Sequence, residues 1–213
     1  MEDKVNEQLD PQVKMLEVVG KLNQKDHAQG HICPDVKKWI SQGPYNLMQE
    51  AKKRLKNAEP SKRDFYQAMV IALEGACVFI ERYGRLASRM ADKSKNEGSR
   101  LEYLKIAESC YALSKSPASN FREAVQSLWF LFVILQMESN ASSFSPGRAD
   151  QYLYPYYIKD MRDGTISLKQ ALELIEALFI KFNQIVYMRN TKCAEFFAGF
   201  PIGFNIAIGG HKY

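Results

Sequence analysis

The sequence predicts a mainly α-helical chain whose tail turns β-compatible. Apolar residues recur at helical spacing through most of residues 44–190, whereas Phe196–Gly210 (F-F-A-G-F-P-I-G-F-N-I-A-I-G-G) is aromatic, Gly-rich and suited to extended backbone. A third observation concerns burial. The run Leu128–Leu135 (L-W-F-L-F-V-I-L) is apolar on every face, so its helix is enclosed by neighbours rather than resting on a surface. With 213 residues, 46% hydrophobic and 25% charged, the chain suits one large packed domain or a piece of a bigger one.

Residues 1–30 read as a helix followed by a polar loop. A long helix is predicted over Lys62–Ala91, with Ser61 as N-cap and Asp64 three residues on, a weak capping box. Its apolar positions are Phe65, Met69, Ala72, Leu73, Ala76, Phe79, Ile80 and Tyr83. A second helix covers roughly Ser99–Leu113. A third follows Ser116-Pro117, where Asn120 can cap and Glu123 can bond back, and it runs to about Gln136. A fourth opens with a fuller capping box, Ser167 with Gln170, and continues through Ile175, Leu178, Phe179, Phe182 and Ile185 to about Tyr187.

Phe204–Ile208 reads as a buried strand, yet the chain offers it no partner strand. A lone strand leaves its backbone hydrogen bonds unmade. One enclosed helix and one orphan strand together imply that the rest of the core belongs to sequence outside these residues, with the segment cut at both ends.

The formal charge of +5 is spread out: ten Lys/Arg face nine Asp/Glu in residues 1–60, and nineteen face fifteen thereafter. The one basic cluster, Lys52–Lys56, reads as a solvated helix face, so no nucleic-acid partner is expected. The longest apolar run is well short of the ~20 residues that span a bilayer, and the polar N-terminus resembles neither a signal nor a transit peptide. Cys33, Cys77, Cys110 and Cys193 have no metal-ligand spacing and read as reduced thiols of a cytoplasmic protein, with no metal site expected.

The chemistry concentrates in Glu138–Tyr152 (E-S-N-A-S-S-F-S-P-G-R-A-D-Q-Y). This loop follows the all-apolar helix and carries small hydroxylated residues into the interior. Buried polar groups need partners, so the loop is either internally bonded or faces a ligand. Arg148 and Asp150 read as a structural pair that fixes it.

Four ordered blocks resemble the glycyl radical enzymes, the family of pyruvate formate-lyase and its dehydratase relatives. They are Gly30-His31-Ile32-Cys33-Pro34-Asp35, then Asn120–Phe130 (N-F-R-E-A-V-Q-S-L-W-F), then Glu138–Tyr152, and last Phe197-Ala198-Gly199-Phe200-Pro201 with Ile208-Gly209-Gly210. The pattern is closer to the dehydratase-like members and covers essentially residues 25–210. The resemblance implies a ten-stranded α/β barrel wrapped in helices, in which residues 1–213 form a partial pyruvate formate-lyase-like domain: a helical layer, a pocket-lining loop and the first barrel strand.

It implies, for the whole enzyme, a thiyl-forming cysteine in a Gly-Cys-Val-Glu setting and a radical-storing glycine in an Arg-Val-x-Gly setting. The glycyl radical would be installed by an S-adenosylmethionine radical activating enzyme. A small-molecule substrate, a homodimer and anaerobic metabolism are implied as well. Neither radical setting occurs in these residues. Gly75-Ala76-Cys77-Val78 is only superficially similar, because it falls mid-helix among Leu73, Phe79 and Ile80, as does Tyr83-Gly84-Arg85. No catalytic residue is therefore expected in this chain, and no catalysis by it alone.

By the resemblance, His31, Ser142 and Ser143 contact substrate. Spacing alone favours the two hydroxyls bonding back to the preceding helix, and it also allows His31 to be a surface residue. Pyruvate formate-lyase has two alanines where Ser142 and Ser143 stand, which argues against acyl transfer; glycerol dehydratase has His-Ser there, and the departure from its histidine at position 142 argues against a specific vicinal-diol substrate. Phe196, Phe197 and Phe200 could wall the pocket or be core, while His27 and His211 have no evident role. The expected function is a glycyl radical lyase or dehydratase segment. The alternatives are a formate acetyltransferase fragment and a non-catalytic helical interaction module.

Overall fold

The computed structural model describes residues 32–139, 143–185 and 205–210; the expected N-terminal helix lies outside them. Six helices follow in order: α1 Val36–Lys56, α2 Pro60–Lys93, α3 Glu97–Leu113, α4 Phe121–Ser139, α5 Ala149–Arg162 and α6 Leu168–Asn183.

Asp35 caps α1, its side chain accepting from the Lys38 N–H at 2.9 Å. The winding of α1 breaks at Gly43, whose φ is +72°, and at Pro44. Pro44 has no N–H, which would orphan the carbonyl of Ile40 four residues earlier. The N–H of Ala118 supplies the missing donor at 3.2 Å. A Cβ at Gly43 would sit 2.8 Å from the Ser116 carbonyl oxygen, so the kink and the 116–118 turn fit together only with glycine there.

Helix α2 starts two residues before the predicted boundary. Pro60 takes the first helical position and Glu59 is the N-cap, so Ser61 lies inside the helix and does not cap it. Proline wins because its fixed φ suits the first turn and its missing N–H costs nothing there. The buried stripe is Val70, Ala76, Ile80, Gly84, Ala87 and Ala91. Leu73 and Phe79 pack against the core as expected, but Phe65, Met69, Ala72 and Tyr83 are exposed. Small residues dominate this stripe because α3 approaches closely: a Cβ on Gly84 would meet the Tyr111 ring at 3.0 Å.

Helix α4 is central, touching α1, α3, α5 and α6. Its first turn is capped at the Phe121 and Glu123 N–H groups. Asn120 Oδ1 accepts from Glu123 N–H, the Glu123 carboxylate accepts from the N–H and hydroxyl of Ser119, and buried Asp160 of α5 accepts from Phe121 N–H at 2.7 Å. Leu128, Phe130, Leu131 and Phe132 are buried, as the all-apolar run predicts. Trp39 donates to the Ser127 carbonyl at 3.0 Å, which pins α1 to α4. Phe182 of α6 meets the rings of Trp129 and Phe132 edge to face. The Ser167–Gln170 capping box of α6 forms as read from sequence.

Extended pairing among the described residues is limited to two isolated parallel bridges, Ile32 with Phe144 and Gly147 with Ile206. The C-terminal segment therefore has a partner after all, and it is the central loop. Its expected burial is also corrected: Ile206 is half-buried, while Asn205, Ala207 and Ile208 are exposed. With pairing on one side only, nothing described covers its outer face.

Candidate functional site

The loop 143–148 is the middle of a three-segment parallel arrangement. On one side the Ile32 N–H donates to the Ser143 carbonyl at 3.0 Å and the Ser145 N–H donates to the Ile32 carbonyl at 2.7 Å. On the other side the Gly147 N–H donates to the Asn205 carbonyl at 3.3 Å, and the Ala207 N–H to the Gly147 carbonyl at 2.8 Å. The Asn205 N–H adds a bond to the Ser145 hydroxyl at 3.1 Å. Sequence reading missed both pairings, because each brings together segments far apart along the chain.

Three side chains hold this arrangement. Arg148 Nε and Nη2 donate to Asp150 Oδ1 and Oδ2 at 2.9 and 2.8 Å, the structural pair expected from sequence. Asp150 Oδ2 also accepts the Gly209 N–H at 2.9 Å, a contact the sequence did not suggest. The Arg148 guanidinium, followed by that N–H, holds the Asp150 carboxyl well below the usual carboxylate range. Tyr152 donates its hydroxyl to the Pro146 carbonyl at 3.0 Å, and burial pushes its phenol up. Gly147 has φ +68°, and a Cβ there would lie 2.9 Å from Cys33 Sγ, so the backbone of this turn passes close to the segment carrying Ile32.

Of the expected substrate contacts, Ser143 is 1% exposed at the start of this loop. His31 and Ser142 lie outside the described residues, as do Phe196, Phe197, Phe200, His27 and His211. In the sequence, His31 directly precedes Ile32 and Ser142 directly precedes Ser143.

Cys77 is half-buried in α2 and its thiol is pushed up to about 11 by burial, then by Glu74; burial alone takes buried Cys110 to about 11. Thiols held protonated in this way are poor nucleophiles. No group of three or more His, Cys, Asp or Glu able to hold a metal occurs among the described residues. No helix among them is long and apolar enough to cross a membrane.

A cavity of about 370 Å³ opens between α4, α5, α6 and Ile206–Ile208, lined by Leu128, Leu153, Tyr157, Ile175, Phe182 and other apolar side chains. Asp150 reaches it, but its carboxylate is already bonded. This space suits apolar packing, not a small polar ligand.

The pyruvate formate lyase-like family model matches residues 1–213. The chain belongs to this family of glycyl radical enzymes. Among family members it is 35% identical, over 194 residues, to (2S)-3-sulfopropanediol dehydratase of Klebsiella oxytoca, covering 86% of this chain and 24% of that protein. It superposes on a solved structure concerned with 1,2-propanediol dehydration in Roseburia inulinivorans with TM-score 0.87 and 29% identity, covering 98% of this chain and 26% of that one. It also superposes on a glycyl radical enzyme from Archaeoglobus fulgidus with TM-score 0.81 and 29% identity, covering 94% and 27%. The chain thus spans about a quarter of the length of these relatives. Mainly helical, it is similar to part of a glycyl radical enzyme fold.

Proposed function

We propose that residues 1–213 are the partial domain of a glycyl radical lyase that presents the loop 143–148 to a small hydroxylated substrate and assists loss of water from it. The observation that carries this reading is the loop itself. Buried Ser143 opens a turn pinned from both sides by Ile32 and by Asn205–Ala207. Fixed polar groups on a rigid backbone are what orientation of a small substrate requires. Dehydration of a diol by the Klebsiella and Roseburia relatives supports the substrate class.

In this reading His31, Ser142 and Ser143 contact substrate. The two hydroxyls hold a substrate OH, and the His31 imidazole protonates the departing hydroxyl so that it leaves as water. The radical chemistry, hydrogen abstraction from the substrate carbon, is supplied by a glycine and a cysteine whose settings this sequence lacks. The chain is accordingly inactive alone. In the complete enzyme the radical comes from an S-adenosylmethionine-dependent activating enzyme, and the enzyme is a cytoplasmic homodimer of anaerobic metabolism. The exposed apolar residues Leu168, Leu172, Phe179 and Ile180 favour one other reading, a helical module that binds a protein partner without chemistry.

The test is anaerobic activation of the complete enzyme followed by incubation with propane-1,2-diol and glycerol. The expected result is a glycyl radical signal by electron paramagnetic resonance together with aldehyde formation. Ser143→Ala should weaken substrate binding about fivefold, the equivalent of one ordinary buried hydrogen bond of ~1 kcal/mol. A radical signal with no turnover of any small alcohol or diol overturns the lyase reading, and absence of both leaves the scaffold.

A further inference from the structure

We propose that the apolar cavity between α4, α5, α6 and Ile206–Ile208 is the seat of an apolar helix, supplied by the polypeptide that follows residue 213 in the complete enzyme. The cavity has a volume of about 370 Å³ and its rim includes Leu168, Leu172, Phe179 and Ile208. These four are 66%, 54%, 46% and 73% exposed, whereas Leu128, Leu178 and Phe182 on its floor are 0%, 5% and 2% exposed. A groove with a buried floor and an apolar rim keeps large side chains in water until something covers them.

Topology identifies the cover. Phe144 pairs in parallel with Ile32, and Gly147 in parallel with Ile206. The chain therefore steps across this arrangement in one direction, from 32 through 144–147 to 206. Helices make each step, α1–α4 the first and α5 with α6 the second. Parallel neighbours need such crossovers, and in proteins nearly all of them are right-handed. Steps of one hand in one direction put every crossover helix on the same face. Ile206 and Ile208 are two residues apart, hence on one face of extended backbone, and both line the cavity. Gly147 takes one edge of residue 206, and no described residue pairs with the other edge. A further parallel segment fits that edge, and its crossover helix then lies over Ile206–Ile208 beside α6, where the cavity opens. A second copy or a separate protein seated in the cavity would leave that edge bare; the continuing chain covers both. The relatives have the length for it, because this chain spans only 24% of the Klebsiella protein and 26% of the Roseburia one. The inference needs the family and this geometry, not the substrate proposed above.

The experiment is done on the complete enzyme. Leu172→Cys is compared with Glu173→Cys, the adjacent exposed position that does not line the cavity. Maleimide modification of each introduced thiol is followed by peptide mass spectrometry, which separates it from the native cysteines. The thiol at 172 should react at least about tenfold more slowly than the one at 173, since only local opening would expose it. Separately, Phe179→p-benzoylphenylalanine is irradiated in isotopically mixed enzyme, so that links within one chain are told from links between copies. The expected product joins position 179 to a peptide beyond residue 213 of the same chain. Equal reactivity of the two thiols overturns the proposal. So do links confined to residues 1–213, which would mean that the chain covers its own cavity, and links to a second copy, which would make it a dimer contact.

Discussion

Asp150 joins two stretches of chain through one carboxylate, which accepts from Arg148 and from the Gly209 N–H. Its folded-state pKa is depressed. A depressed carboxylate contributes stability that is complete above the unfolded value of about 3.9 and is lost as pH falls from there towards the folded value. Asp150→Asn should therefore be less stable than the parent near neutral pH, with the two converging as pH drops below about 4. Urea unfolding across that range checks this, and a pH-independent gap would contradict it. At Gly147 the constraint is steric. Gly147→Ala must place a Cβ 2.9 Å from Cys33 Sγ while keeping a left-handed φ of +68°. A loss of about 1–3 kcal/mol is expected in chemical denaturation. Adding Cys33→Ala should recover only part, because it removes the contact and not the backbone strain. The Arg148–Asp150 pair was legible in the sequence because both residues sit two apart in one polar loop. The Gly209 contact was not, since no local pattern reports which distant N–H a carboxylate will meet.

Among the helices, legibility followed the locality of the signal. The α6 capping box and the all-apolar α4 were readable because each is written within a few consecutive residues. Helix α5 was not set apart from its neighbours, since Pro155 interrupts its pattern and a polar loop runs directly into it. The face of α2 was half misread: hydrophobicity pointed to Phe65 and Met69, whereas α3 selects the small residues Gly84, Ala87 and Ala91 by coming close. Gly84→Val should accordingly destabilise the α2–α3 pair. The gain in helix propensity is outweighed by overpacking against Tyr111, for a net loss of about 1–3 kcal/mol in thermal or urea melts. Ser167→Ala, which removes half of the α6 capping box, should cost about 1 kcal/mol. An unchanged melt for Gly84→Val would mean that the two helices can move apart freely.

Across the molecule, large apolar side chains remain in contact with water on two faces. Phe65 and Ile71 of α2 are 64% and 61% exposed, and Leu168 and Ile180 of α6 are 66% and 61% exposed. Patches of this kind drive association. The isolated 213-residue chain should self-associate with rising concentration in sedimentation or light scattering. Leu172→Lys with Ile180→Lys should reduce that association without lowering the melting temperature, because neither side chain is buried. A monodisperse parent would contradict the expectation. The two-sided pairing of the central loop carries a consequence for how the chain reaches this state. The turn from α2 into α3 closes through neighbouring residues, whereas the loop waits for residues 32 and 206 to arrive, and its bond to Asn205 alone spans 60 positions. Encounters across such separations are slow and form late. A newly made chain would therefore pass through a stage with its helices wound and its central loop still unpaired.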